Sequence, residues 1–188
     1  FKGSLSSLEA AKSLKQGLQD TGYPMDITIL PLADGGEGTV DAVCYALDKE
    51  IRTFPLENPF GEIREGKIGL LSSRVCILES ASAVGLGDIP PGENDPMRGS
   101  SYGVGQGISY ALSLGMETIY LGLGGTATND GGIGAARALG AEFYDAEGKK
   151  VAPGAAGLQQ VRSLDIEHLH PGLETADLIL LTDVNNPL

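Results

Sequence analysis

The residues best equipped for chemistry lie in Gly122-Leu-Gly-Gly-Thr-Ala-Thr-Asn-Asp-Gly-Gly132, where five glycines are interleaved with Thr126, Thr128, Asn129 and Asp130. Glycine backbone can come close to a ligand because no Cβ intervenes, and unpaired N–H groups at a helix start favour anions. Gly124, Gly125, Gly131 and Gly132, with the side chains of Thr126, Thr128 and Asn129, therefore make a candidate phosphate-binding loop. Asp130 complicates this, because a carboxylate repels a bare phosphate. Its presence calls either for a divalent cation bridging the two or for a hydroxyl whose proton the carboxylate accepts. A purely structural turn is the plain alternative, and it needs fewer polar groups than this loop carries.

The pattern recurs twice. Met25 to Leu32 alternates apolar and polar residues and predicts a strand, Ala33-Asp-Gly-Gly-Glu-Gly38 is a loop, and Thr39 to Leu47 reads as a helix. Asp34 and Glu37 take the place in this unit that Asp130 takes in the other, and the backbone N–H groups of Gly35, Gly36, Glu37 and Gly38 are further candidates for holding phosphate oxygens, although acids in a first helical turn are also favoured by the helix dipole alone. Near the end, the apolar run Leu178-Ile-Leu-Leu-Thr182 reads as a buried strand leading into Asp183-Val-Asn-Asn-Pro187. Ligands of open α/β sheets sit at the carboxyl ends of strands, so three such ends predict one shared site. Arg98 can act as a two-pronged clamp for a carboxylate or phosphate, and reads equally well as a solvated loop charge. There is no Walker A lysine loop, and Gly103-Val-Gly-Gln-Gly107 lacks the spacing of a dinucleotide fingerprint.

These residues need a scaffold to hold them, and 188 residues with 41% hydrophobic content can supply one large or two small domains. The net charge of −12 speaks against a broad nucleic-acid or anionic-membrane surface. No apolar run reaches the roughly 18 to 20 residues of a membrane span, and no signal peptide is visible. Cys44 and Cys76 are the two cysteines, far apart and outside any CxxC spacing; they read as reduced, buried thiols of a cytoplasmic protein. The chain opens at Phe1 without an initiator Met and stops just after a functional-looking loop, which predicts a longer polypeptide.

Ser6-Ser-Leu-Glu9 predicts a capping box, with Leu8, Ala11, Leu14 and Leu18 at helical spacing up to Gly22. Residues 51 to 80 predict strands at 51–56, 63–71 and 75–78, with a turn at Pro59-Phe-Gly61. A long loop spans 88–101, and long ordered loops are often functional. A helix follows at 104–114, a strand at 118–123 and a short helix at 134–139. Ala141 to Val151 reads as a hairpin turning at Gly148, a modest helix lies near Leu158, and His168 and His170 sit in a polar surface loop rather than in a metal site.

Four segments in order, Phe1-Lys-Gly-Ser-Leu5, Ala33-Asp-Gly-Gly-Glu-Gly-Thr39, Gly124-Gly-Thr-Ala-Thr-Asn-Asp-Gly-Gly132 and Asp183-Val-Asn-Asn-Pro-Leu188, resemble glycerate kinases of the type I class. The resemblance runs the length of the chain. It implies transfer of the γ-phosphoryl group of ATP to D-glycerate with Mg2+, giving 2- or 3-phosphoglycerate. It also implies an α/β fold of two α/β domains with an interdomain active-site cleft, the first domain incomplete in this chain. Residues 1–50 would be the N-terminal part of a discontinuous Rossmann-like domain and residues 51–188 the central α/β domain. Relatives of this type begin with a strand before Phe1 and continue past Leu188, and they usually carry threonines where Ser100 and Ser101 stand. Because phosphoryl transfer is catalysed mostly by positioning and charge stabilisation, Asp34 and Asp183 are then candidate magnesium ligands, Asp130 and Asp34 candidate catalytic carboxylates, and Lys2 a neutraliser of the transferring phosphoryl group. Arg98 would hold the glycerate carboxylate, and Ser100, Ser101, Asn185 and Asn186 would line the substrate site. A magnesium-dependent phosphatase or other phosphoester enzyme, or a non-catalytic anion-binding module, would draw on similar residues, and ATP turnover separates these readings.

Overall fold

The computed structural model describes residues 4–90, 92 and 94–183. It is a mixed α/β structure built on a five-stranded sheet of β1 (Glu50–Glu57), β2 (Ile63–Leu70), β3 (Val75–Glu79), β4 (Thr118–Gly122) and β7 (Asp177–Leu181), in the order β1-β2-β3-β4-β7. The β1/β2 and β2/β3 pairs are antiparallel, whereas β3, β4 and β7 run parallel. The turn expected at residues 59–61 closes the β1/β2 pair, where Asn58 Oδ1 accepts from the N–H groups of Phe60 and Glu62.

Strand side chains alternate between two cores, as a period of two requires. Ile77 faces α2 (Thr39–Leu47) and packs with Val40 and Cys44. Its neighbours Cys76 and Leu78 face the other way, into a cluster with Phe54, Ile68, Ile108 and Leu121 beneath α3 (Ala81–Val84) and α4 (Tyr102–Ser113). Glycines on α4 allow close packing: a Cβ on Gly103 would strike the Glu57 carbonyl, and one on Gly105 the Ala135 backbone of α5 (Ile133–Ala138). The run Gly103 to Gly107 thus serves helix packing. Both cysteines are free and buried, and burial pushes the Cys76 thiol up to about 12.

The opposite flank is thinly covered. The helix α1 (Ser7–Gln19) starts at the expected capping box between Ser6 and Glu9, yet it buries none of its residues. Three sequence expectations are corrected here. Residues 25–32 form no strand, because no neighbouring strand among the described residues accepts their backbone, and Leu30 and Leu32 stay exposed. β7 forms, but as the outer strand of the sheet, with Leu178, Ile179 and Leu180 exposed rather than buried. The hairpin expected at 141–151 is also revised. Gly148 does sit in a turn and Tyr144 bridges to Lys150, but the ladder partner of β5 (Glu142–Tyr144) is β6 (Ser163–Asp165). Between them lies the short α6 (Gly154–Leu158), near where a helix was expected.

Candidate active site

Because β3, β4 and β7 are parallel, their carboxyl ends lie along one edge of the sheet. The 34–38 loop is drawn against that edge. Gly124 N donates to Gly35 O at 3.1 Å, and Leu123 N donates to Leu181 O at 3.1 Å. The fit leaves no room for side chains: a Cβ on Gly124 would lie 2.7 Å from Gly36 Cα, and one on Gly35 would lie 2.9 Å from Leu181 O. These glycines first of all let three chain segments touch. The chain reaches Asp183, which is exposed, two residues beyond Leu181.

Two aspartates begin matching turns. Asp34 Oδ1 accepts from Gly36 N at 3.1 Å, and Asp130 Oδ1 accepts from Gly132 N at 3.0 Å. Beyond that bond they differ. Asp130 is 2% exposed, and its Oδ2 also accepts from Ser101 N at 2.8 Å, Ser101 Oγ at 2.9 Å and Gly134 N at 3.1 Å. It ties the start of α4 to the start of α5, which is the geometry of an anchor. Asp34 is exposed, and its Oδ2 takes no hydrogen bond among the described residues. Orienting a substrate hydroxyl, the role expected of Asp130, needs an open oxygen, and Asp34 has one.

The hydroxyls of the 95–101 loop are partly committed. Ser101 Oγ accepts from Ala135 N at 3.0 Å while donating to Asp130, and Ser100 Oγ accepts from Tyr102 N at 3.2 Å; both serines are buried. Arg98 is exposed, its backbone N–H bonded to Asp95 O at 3.1 Å, and its side chain makes no ion pair among the described residues. The N–H groups expected to cradle phosphate divide into two sets. Those of Gly36, Gly38, Gly124 and Gly132 already donate within the protein. Those of Gly125, Thr126, Asn129 and Gly131 donate to nothing among the described residues and lie on the exposed rim. Thr128 is half-buried behind them, and Glu37 is exposed. Lys2, Asn185 and Asn186 lie outside the described residues. His170 Nδ1 accepts from Gly172 N at 3.1 Å, capping a short 3-10 turn.

One residue of this edge escapes local sequence reading. Glu79, the last residue of β3, is 7% exposed and its carboxylate accepts from Gly38 N at 3.3 Å, Val40 N at 2.9 Å and Ser82 Oγ at 3.2 Å. The available signal is an acid set inside the apolar run from Val75 to Val84. No group of three or more His, Cys, Asp or Glu residues among the described residues could hold a metal ion. Magnesium asks for less, since it keeps several waters and binds proteins through one or two carboxylates.

The whole chain, residues 1–188, matches the family model described as the glycerate kinase family. A glycerate kinase of Haemophilus influenzae is 38% identical over 189 residues, covering 100% of this chain and 50% of that protein. A protein named glycerate 2-kinase from Escherichia coli is 36% identical, with 100% of this chain and 50% of that protein covered. In three dimensions the chain superposes on the crystal structure described as a glycerate kinase 2 of Salmonella typhimurium LT2 with a TM-score of 0.85 at 41% identity, covering 100% of this chain and 51% of that one. The chain thus spans about half the length of the relatives it matches.

Proposed function

We propose, from the premise that this chain belongs to the glycerate kinase family, that the protein transfers the γ-phosphoryl group of ATP to a hydroxyl of D-glycerate. The name of the Escherichia coli relative favours the 2-hydroxyl over the 3-hydroxyl. The observation that carries the reading is the meeting of three chain segments at one sheet edge, which sets exposed Asp34 beside a glycine loop with unengaged N–H groups.

Phosphoryl transfer depends mainly on positioning and on stabilising charge over the phosphoryl oxygens. In this reading the N–H groups of Gly125, Thr126, Asn129 and Gly131 hold phosphate oxygens, with Thr126, Thr128 and Asn129 adding side-chain donors. Asp34 uses its open Oδ2 to orient the glycerate hydroxyl or to hold magnesium, and Asp183, exposed past β7, is the second carboxylate available to that ion. Held by these carboxylates, magnesium would supply positive charge to offset that of the phosphate oxygens. The donor set fits it: exposed carboxylate oxygens that make no ion pair among the described residues are what a largely hydrated hard ion requires. Arg98 pairs with the glycerate carboxylate. Asp130, Ser100 and Ser101 hold the loops that present these groups. Lys2 neutralises charge on the transferring phosphoryl group, and Asn185 and Asn186 line the substrate site. Residues 1–50 and 51–188 would contribute to two domains whose shared cleft holds the substrates. No helix among the described residues is long and apolar enough to cross a membrane, and two free, buried cysteines fit a cytoplasmic setting.

The test uses the full-length protein with ATP, magnesium and D-glycerate, following ADP release and identifying the product by phosphorus NMR. The reading predicts ADP and phosphoglycerate in equal amounts, formed only when glycerate is present. Phosphate released from phosphoesters without ATP would replace it with a phosphatase.

A further inference from the structure

We infer that Glu79 is a positioning residue, which holds the Asp34–Gly38 loop against the Gly122–Gly124 segment so that Asp34 faces the substrates. The inference rests on the function proposed above. The helix α2 begins at Gly38, which has φ 84° and no side chain with which to cap it. A helix start leaves several N–H groups without internal partners, and here a tertiary carboxylate supplies the cap. Glu79 accepts from Gly38 N and Val40 N, residues about forty positions away in sequence, and Ser82 Oγ steadies the same carboxylate. Thr39 N is taken by Gly36 O at 3.3 Å, so the three successive N–H groups of Gly38, Thr39 and Val40 are all engaged within the protein.

The backbone at the same strand end grips the second loop. Glu79 pairs in the parallel ladder with Gly122, and Ser80 N donates to Gly122 O at 2.8 Å. Gly122 lies so close to Gly35 that a Cβ there would run into the Gly35 carbonyl. One residue therefore sets the spacing between the Asp34 turn and the glycine loop, through its side chain on one side and the backbone around it on the other. Glu79 is buried and turned toward α2, so it acts through Asp34 and does not touch the reacting atoms. A glutamine would keep the shape but lose the charge, and it would aim an amide donor at a cluster of donors.

The test compares full-length wild type, Glu79→Gln, Asp34→Asn and the double variant. Glu79→Gln is expected to lower kcat about 10- to 100-fold, the scale of an ångström-sized misplacement, with KM for ATP and for D-glycerate within about twofold. The double variant is expected to be no slower than Asp34→Asn, since residues acting as one unit are not additive. Amide exchange at residues 34–40 is expected to quicken by roughly tenfold or more while residues 118–122 keep wild-type protection. Unchanged kcat, additive losses in the double variant, or exchange that quickens equally in both segments would overturn the assignment. If Glu79→Gln fails to fold, Glu79→Asp, which keeps the charge but shortens the reach to α2, is judged by the same three criteria. Should wild type not phosphorylate glycerate, the functional reading falls, and the exchange comparison alone still decides whether Glu79 positions the loop.

Discussion

Asp34-Gly-Gly-Glu-Gly38 and Asp130-Gly-Gly-Ile-Gly134 share a plan: an aspartate, two glycines, and a third glycine two residues on, just before or just inside a helix. They also share a turn, since each aspartate accepts from the N–H two residues ahead through Oδ1. The second oxygen separates them. At Asp130 it is buried under three donors from two helix starts, and at Asp34 it is open. A charged group enclosed by donors is stabilised and held still, which suits an anchor. One with a free oxygen at the rim can exchange partners, which suits chemistry. Burial and bonding, more than motif identity, carry the roles proposed here for the two aspartates.

The sharpest way to break this contrast is at the anchor. Asp130→Asn places an amide where an oxygen met three donors, and losing charge-assisted bonds at a buried site is expected to cost about 3 kcal/mol of stability. Urea unfolding of the full-length variant reads this, and the folded fraction should keep kcat within a few-fold of wild type. A stable Asp130→Asn enzyme with a large kcat loss would reverse the two assignments.

A smaller effect is expected where the loops touch. Gly124→Ala forces a Cβ to within 2.7 Å of Gly36 Cα, and overpacking of this kind is expected to cost roughly 1–3 kcal/mol. Because the strain falls between the two loops, kcat should drop along with the thermal midpoint. A variant that is destabilised but fully active would show that the contact does not set the site's geometry. Smallest is Arg98→Ala. The side chain has no ion pair among the described residues to lose, so stability should not change, while KM for D-glycerate should rise about tenfold or more with KM for ATP nearly unmoved. Equal shifts in both constants would remove Arg98 from the glycerate carboxylate.

Local patterns made much of the scaffold legible. The capping box at Ser6 and Glu9, the strands at β1 to β4, the turn after Glu57 and the helices α4 and α5 depend on residues near in sequence, and each formed close to where it was expected. The failures share a cause. Residues 25–32 alternate like a strand, yet a strand needs a neighbour, and periodicity says nothing about whether one is present. The run at 178–181 is apolar enough for a central strand but occupies an edge. The partner of β5 lay twenty residues away, across α6. Similarly, the three segments of the site were visible as motifs, but the difference between Asp34 and Asp130 was not, because Ser101 comes from another part of the chain. Glu79 was missed for the same reason, as a cap reaching across about forty residues leaves no local signature.

The claim that Asp34 is the working carboxylate is tested most directly by the turnover of full-length Asp34→Asn with ATP, magnesium and D-glycerate, measured beside its thermal midpoint. Asparagine keeps a carbonyl for the bond from Gly36 N and loses only the charge and the open basic oxygen, so the fold should hold. The account predicts a kcat lower by about 10²- to 10⁴-fold, the scale of a lost general base, with a midpoint close to wild type. A folded Asp34→Asn enzyme that turns over like wild type would contradict it.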